Sequence, residues 1–136
     1  MTTQDRGALR ALIVPAGLSP ADSRAGRLLR DLGHDVAGAE SPDQALELLR
    51  ESDTDLMVVD VTNSEQNQAL LRRMADLPRQ AQPRTLAVFA DSSNETLRET
   101  LRCIGAPRTH ILLKPLHFHK LLEVVRRLEL DTMASA

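Results

Sequence analysis

The sequence predicts a doubly wound α/β domain built on a parallel sheet. Three observations predict it. Apolar runs alternate with amphipathic stretches along the whole chain. The central runs, DLMVVD and TLAVFA, are continuous rather than alternating, which suits strands covered on both faces. The connections are short and marked by cap residues, prolines and glycines.

Each element follows from local pattern. The first strand is Leu9–Val14. A helix is predicted from Pro20 to Leu32: Ser19 is an N-cap residue, Pro20 suits the first helical position, and Asp22 stands where a capping-box acid would. Ala21, Ala25, Leu28, Leu29 and Leu32 form its apolar stripe, and Gly33 is placed to end it. His34–Ala39 is a second, weaker strand, carrying Asp35 and Gly38. Ser41-Pro42 starts the next helix, with Ala45, Leu46, Leu48 and Leu49 on its apolar face. Asp55–Asp60 is the third strand. Asn63 and Ser64 offer caps for a helix with the stripe Leu70, Leu71, Met74 and Leu77. Thr85–Ala90 is the fourth strand, after a polar connection bracketed by Pro78 and Pro83. Ser92 and Ser93 are placed to cap a helix bearing Leu97, Leu101 and Ile104, which Gly105 closes. Thr109–Leu113 is the fifth strand, Lys114-Pro115 a turn, and Leu116–Leu130 the last helix, with Leu121, Leu122, Val125 and Leu128 inward.

Length and composition bound the function. A chain of 136 residues is about one domain, expected to span 1–136 with its core over about 9–130. Two Phe, no Tyr and no Trp leave nothing for a base-stacking platform or an aromatic peptide groove. A net charge of −2 is not that of a dedicated nucleic-acid binder. One cysteine, Cys103, allows no disulfide within the chain and argues against a thiolate zinc site. The N-terminal segment shows no signal peptide and no stretch is apolar enough to span a membrane, so a reducing cytoplasm is the expectation.

In open parallel sheets the site lies beyond the carboxyl ends of the strands. Strand one delivers Val14-Pro15-Ala16-Gly17 there, strand three Asp60, strand four Phe89-Ala90-Asp91 and strand five Lys114-Pro115. An aspartate on the central strand with a lysine to one side can accept a phosphoryl group or hold a cation, the lysine pairing with the anion as a point charge.

Residues 9–130 resemble the receiver domains of bacterial response regulators, on the evidence of Asp60 ending DLMVVD, Lys114-Pro115 ending HILLKP, and the segment SPDQALELLRESDTDLMVVDV. The resemblance implies a flavodoxin-like fold with five strands in the order 2-1-3-4-5 and five helices. It implies Asp60 as phospho-acceptor, Lys114 as phosphate contact, and a cis Lys–Pro bond. The stretch DVTNSEQNQALLRRM with PRTLAVFADSSNETL is similar to the receivers of nitrate- and amidase-type antitermination regulators.

The departures from that family pattern are as specific as the matches. Pro15 and Ala16 stand where the family carries the acidic pair that holds Mg²⁺. Phe89 stands at the switch hydroxyl and Ile111 at the switch aromatic; Ser92 and Ser93 are alternative hydroxyls. Phosphoryl transfer needs a cation to neutralise crowded oxygens, and Asp60 alone is a poor Mg²⁺ ligand set. The expectation is an atypical, non-enzymatic receiver of two-component signalling. It would act as a protein-interaction or dimerisation module through the face running from strand four to helix five, where Arg98, Arg102, Arg108, Lys120 and Arg127 lie. Its partner would be a histidine kinase or another regulator. The alternatives are a working phospho-receiver modified on Asp60, and a small-molecule-binding flavodoxin-like domain using Pro15-Ala16-Gly17. His117 and His119, two apart, lack metal-site spacing and are read as surface residues, as are His34 and His110. Cys103, without a CxxC partner, is read as a packing or surface residue, and the arginines Arg98, Arg102, Arg126 and Arg127 as a solvated face.

Overall fold

The computed structural model describes residues 8–16, 23–106, 108–115 and 118–135. Five strands form one parallel sheet: β1 (Arg10–Val14), β2 (Asp35–Gly38), β3 (Leu56–Asp60), β4 (Thr85–Ala90) and β5 (Arg108–Leu113). Their order is β2-β1-β3-β4-β5. The helices are α1 (Arg24–Asp31), α2 (Pro42–Glu51), α3 (Glu65–Met74), α4 (Glu95–Arg102) and α5 (Phe118–Ser135), with a short 3₁₀ turn at Arg79–Ala81. The doubly wound expectation and its strand order are both observed.

Strand periodicity divides the core in two. On β1, Leu12 and Val14 point to one face of the sheet, and Ala11 and Ile13 to the other. The first face packs against Ala45, Leu46 and Leu49 of α2, Leu70, Leu71 and Met74 of α3, and Leu97 and Leu101 of α4. The second packs against Ala25 and Leu29 of α1 and Leu121, Val124, Val125 and Leu128 of α5. All six residues of β4 are buried. That double coverage is why β3 and β4 read as unbroken apolar runs. At the sheet edge β2 alternates between exposed and half-buried positions, and so tolerates Asp35.

Several boundaries and contacts correct the sequence reading. The helix expected from Pro20 starts at Arg24, where the Ser23 hydroxyl accepts from the Gly26 amide. Ser19, Pro20, Ala21 and Asp22, like Gly17, lie outside the described residues. On α4 the cap is Asn94, whose side chain accepts from the Leu97 amide at 2.8 Å, and not Ser92 or Ser93. Gly105 does not close that helix; Cys103 caps it. The α5 helix runs on to Ser135, past the expected end at Leu130, and its start at Leu116 lies outside the described residues. Val124 is buried beside Leu121, Val125 and Leu128, while Leu122 is half-buried.

Gly33 ends α1 as expected, with φ +89°, a conformation that costs glycine little. The Gly33 amide donates to the Arg30 carbonyl and the His34 amide to the Leu29 carbonyl, the paired bonds of a Schellman turn. That turn drives His34 inward. His34 is buried, not a surface residue: its Nδ1 accepts from the Leu9 amide at 2.9 Å and its Nε2 lies 2.7 Å from Glu129 Oε2 on α5. The ring ties the start of β1 to the last helix.

Candidate functional site

Parallel pairing brings the carboxyl ends of β1, β3, β4 and β5 to one rim. Asp60 ends β3, in register with Phe89 on β4. Lys114 follows β5 directly, its amide donating to the Ala90 carbonyl at 3.0 Å. The Lys114–Pro115 peptide bond is cis. Lys114 Nζ lies 2.9 Å from Asp60 Oδ2. Both side chains are only partly exposed, 31% and 18%, so the pair is less screened than a surface ion pair.

The other Asp60 oxygen is engaged as well. The Thr62 amide donates to Asp60 Oδ1 at 2.9 Å, closing an Asx turn. The chain then passes through Asn63 in the left-handed region, at φ 52°, and enters α3 under the cap of Ser64. Asn67, in the first turn of α3, is buried and donates from Nδ2 to the Asp60 carbonyl at 2.7 Å and the Pro15 carbonyl at 3.3 Å. It braces the ends of β1 and β3 together. Sequence reasoning did not single out Asn67. The signal was there: it begins the stripe Asn67, Leu70, Leu71 and Met74, and a polar residue on an apolar stripe needs buried partners.

Pro15 and Ala16 are half-buried beside Asp60 and carry no side-chain oxygen. Phe89 is 5% exposed and faces the same place. Together with Ile13, Val58, Ala25 and Phe118 these residues line a cleft of about 440 Å³, with Ser23, Arg24, Asp60 and Pro115 at its polar parts. Ile111 is not part of it; it pairs opposite Val88 and packs into the core under α2–α4. Ser92 lines a separate groove of about 260 Å³ with Thr62, Asn63 and Thr100. The Thr62 hydroxyl is buried without a partner among the described residues.

The described residues lining this cleft do not fit Mg²⁺. An octahedral cation of this kind takes carboxylate and carbonyl oxygens. Asp60 is the one carboxylate lining this cleft among the described residues, and each of its oxygens already receives a donor. The Pro15 carbonyl receives Asn67. Among the described residues no three His, Cys, Asp or Glu side chains gather at a common point.

Away from the cleft, His110 on β5 is half-buried, and burial first, then the charges of Arg127 and Arg108, hold its pKa below the ordinary 6.5. His119 is exposed; His117 lies outside the described residues. Cys103 is exposed. Arg98 and Arg102 pair with Glu95 and Glu99 on the same helix, and Arg108 pairs with Asp131, so much of the basic face is neutralised locally. Among the described residues no helix is long and apolar enough to cross a membrane.

No protein-family model and no curated protein matches the sequence. Solved structures do match. A CheY-like response regulator receiver domain protein from Methanospirillum hungatei JF-1 superposes with a TM-score of 0.69 at 17% identity, over 95% of this chain and 99% of that one. A response regulator receiver protein from Pseudomonas putida gives 0.68 at 23%, over 88% and 97%. A response regulator protein from Burkholderia pseudomallei, with a phosphorylated aspartic acid and a calcium ion, gives 0.61 at 18%, over 93% and 72%. This chain therefore has the CheY-like receiver fold.

Proposed function

We propose that this chain is a receiver-type module of two-component signalling that works through protein contacts and without phosphorylation of Asp60. The observation that carries the reading is the direct Asp60–Lys114 pair beside Pro15 and Ala16. An incoming phosphoryl group brings a charge near −2 at neutral pH. Attack by Asp60 would require its carboxylate to leave Lys114 and Thr62 and to meet that charge with one cation at hand. Receivers that accept phosphate meet it with a divalent ion, and the set around Asp60 offers such an ion no second carboxylate. The pair is instead a structural link between β3 and β5.

Partner contact is assigned to the β5–α5 side. Two of the three exposed large apolar residues among those described, Leu113 and Leu130, lie on these elements. Lys120 and Arg127 are exposed on α5. The occupant is a second copy of the chain, a histidine kinase or another regulator.

The decisive experiment is incubation with Mg²⁺ and acetyl phosphate, read by intact mass. The expected result is no phosphoryl adduct beyond that of Asp60→Asn. An adduct on the wild type that Asp60→Asn abolishes would overturn this reading and establish a working phospho-receiver.

A further inference from the structure

We propose that the cleft beside Asp60 binds a small amphipathic acid, a molecule with an apolar body and one anionic head. The proposal deepens the reading above: it rests on Asp60 remaining unmodified and paired with Lys114.

Size and lining come first. A cleft of about 440 Å³ lies in the range of small-molecule sites, which are mostly apolar with a few convergent polar groups. Its floor is Ile13, Val58 and Phe89 on adjacent strands, closed at the sides by Ala25 of α1 and Phe118 of α5. These residues belong to the core under α1 and α5 or pack against it. Pro15 and Ala16, which carry no side-chain oxygen, form the mouth, and Phe89 adds apolar surface to the floor.

Charge then selects the head group. The Asp60 carboxylate is already neutralised by Lys114, so it does not call for a cation. Arg24 lines the mouth, is exposed, and makes no ion pair among the described residues. It is the first residue of α1, a helix with no acidic residue in its first turn, so that turn itself offers nothing to offset the positive end of the helix. Both features favour an anion. An ammonium ligand would meet Arg24 unfavourably, and a bare phosphate would leave the apolar floor without a partner. An alkyl or aryl carboxylate satisfies both ends.

The probe is octanoate titrated into the full chain, followed by amide NMR shifts and calorimetry. The expected result is one saturable site, with shifts centred on Ala16, Ala25, Val58 and Phe89. Octanol should bind about tenfold more weakly, the loss of one charge-assisted contact. Arg24→Gln should bring octanoate to the level of octanol. Ala16→Leu, at the half-buried mouth, should abolish binding while the circular dichroism spectrum stays that of wild type. A folded wild-type chain that shows no saturable shift at millimolar octanoate would overturn the site. So would saturable shifts centred on the Thr62–Thr100 groove, or inorganic phosphate binding as tightly as octanoate. The two proposals fail separately: an Asp60 adduct in the phosphodonor assay removes the phosphorylation-free reading, whereas missing octanoate binding without an adduct removes only the ligand.

Discussion

At Asp60 and Lys114, residue identity was enough to pair an acid with a base, because both end apolar strands on the same rim of a parallel sheet. It was not enough to show that both Asp60 oxygens already receive a donor. That depends on the Thr62 amide, which only the turn after β3 aims back at it. His34 makes the same point in the opposite direction. Polar and next to a glycine, it reads as surface, yet the turn at Gly33 buries it between the Leu9 amide and Glu129. For His110 the environment has a measurable consequence. Its pKa is lowered in the folded state by burial and by Arg127 and Arg108, so the unfolded chain takes up a proton at this position first as pH falls. The His110 contribution to stability is therefore full above about pH 6.5 and declines as pH drops below it, towards the folded value. Urea unfolding at about pH 7.5 and about pH 5.5 should show a larger acid loss for wild type than for His110→Gln. Equal losses would remove the assignment.

Among the elements, helix starts were the least legible feature and strands the most. Ser41 caps α2 where the sequence predicts, and of the two candidates ahead of α3, Asn63 and Ser64, it is Ser64 that caps the helix while Asn63 takes the left-handed conformation before it. Ahead of α4 three candidates follow one another, Ser92, Ser93 and Asn94. Local chemistry cannot rank them, because each side chain can accept an amide. The choice falls to Asn94 because Leu97 and Leu101 must face the core under α2–α4, and that orientation sets which residue precedes the first turn. Asn94→Ala should cost about 1 kcal/mol in denaturant unfolding, and Ser92→Ala close to nothing. The reverse order would show that a serine holds the cap in solution. The described start of α1 is capped by Ser23, whose hydroxyl accepts from the Gly26 amide, and Ala25 and Leu29 of that helix meet the core.

For the molecule as a whole, the sheet buries both faces, and the described surface that remains carries few large apolar side chains. Leu113 at the end of β5 and Leu130 on α5 are 44% and 65% exposed. The exposed Arg–Glu pairs of α4 contribute little stability individually, so this side of the molecule is neither strongly charged nor fully closed. If it is the interaction surface, sedimentation at rising concentration should show self-association that the double variant Leu113→Asp and Leu130→Asp removes. A wild type that stays monomeric at high concentration would exclude the dimer and leave a different protein as partner.

The fold was written in the linear pattern. Continuous apolar strands, apolar helical stripes and short connections admit few arrangements, and right-handed crossovers prune them further. The Asp60–Lys114 pair was legible for the same reason: strand ends in a parallel sheet share a rim. The apolar cleft, the bracing role of Asn67, the burial of His34 and the place of Arg24 at the cleft mouth were not. Each depends on groups distant in sequence arriving at one point: Asn67 reaches Pro15 across 52 positions and His34 reaches Glu129 across 95. Local propensity carries no term for such meetings, and packing of the two-faced sheet decides them.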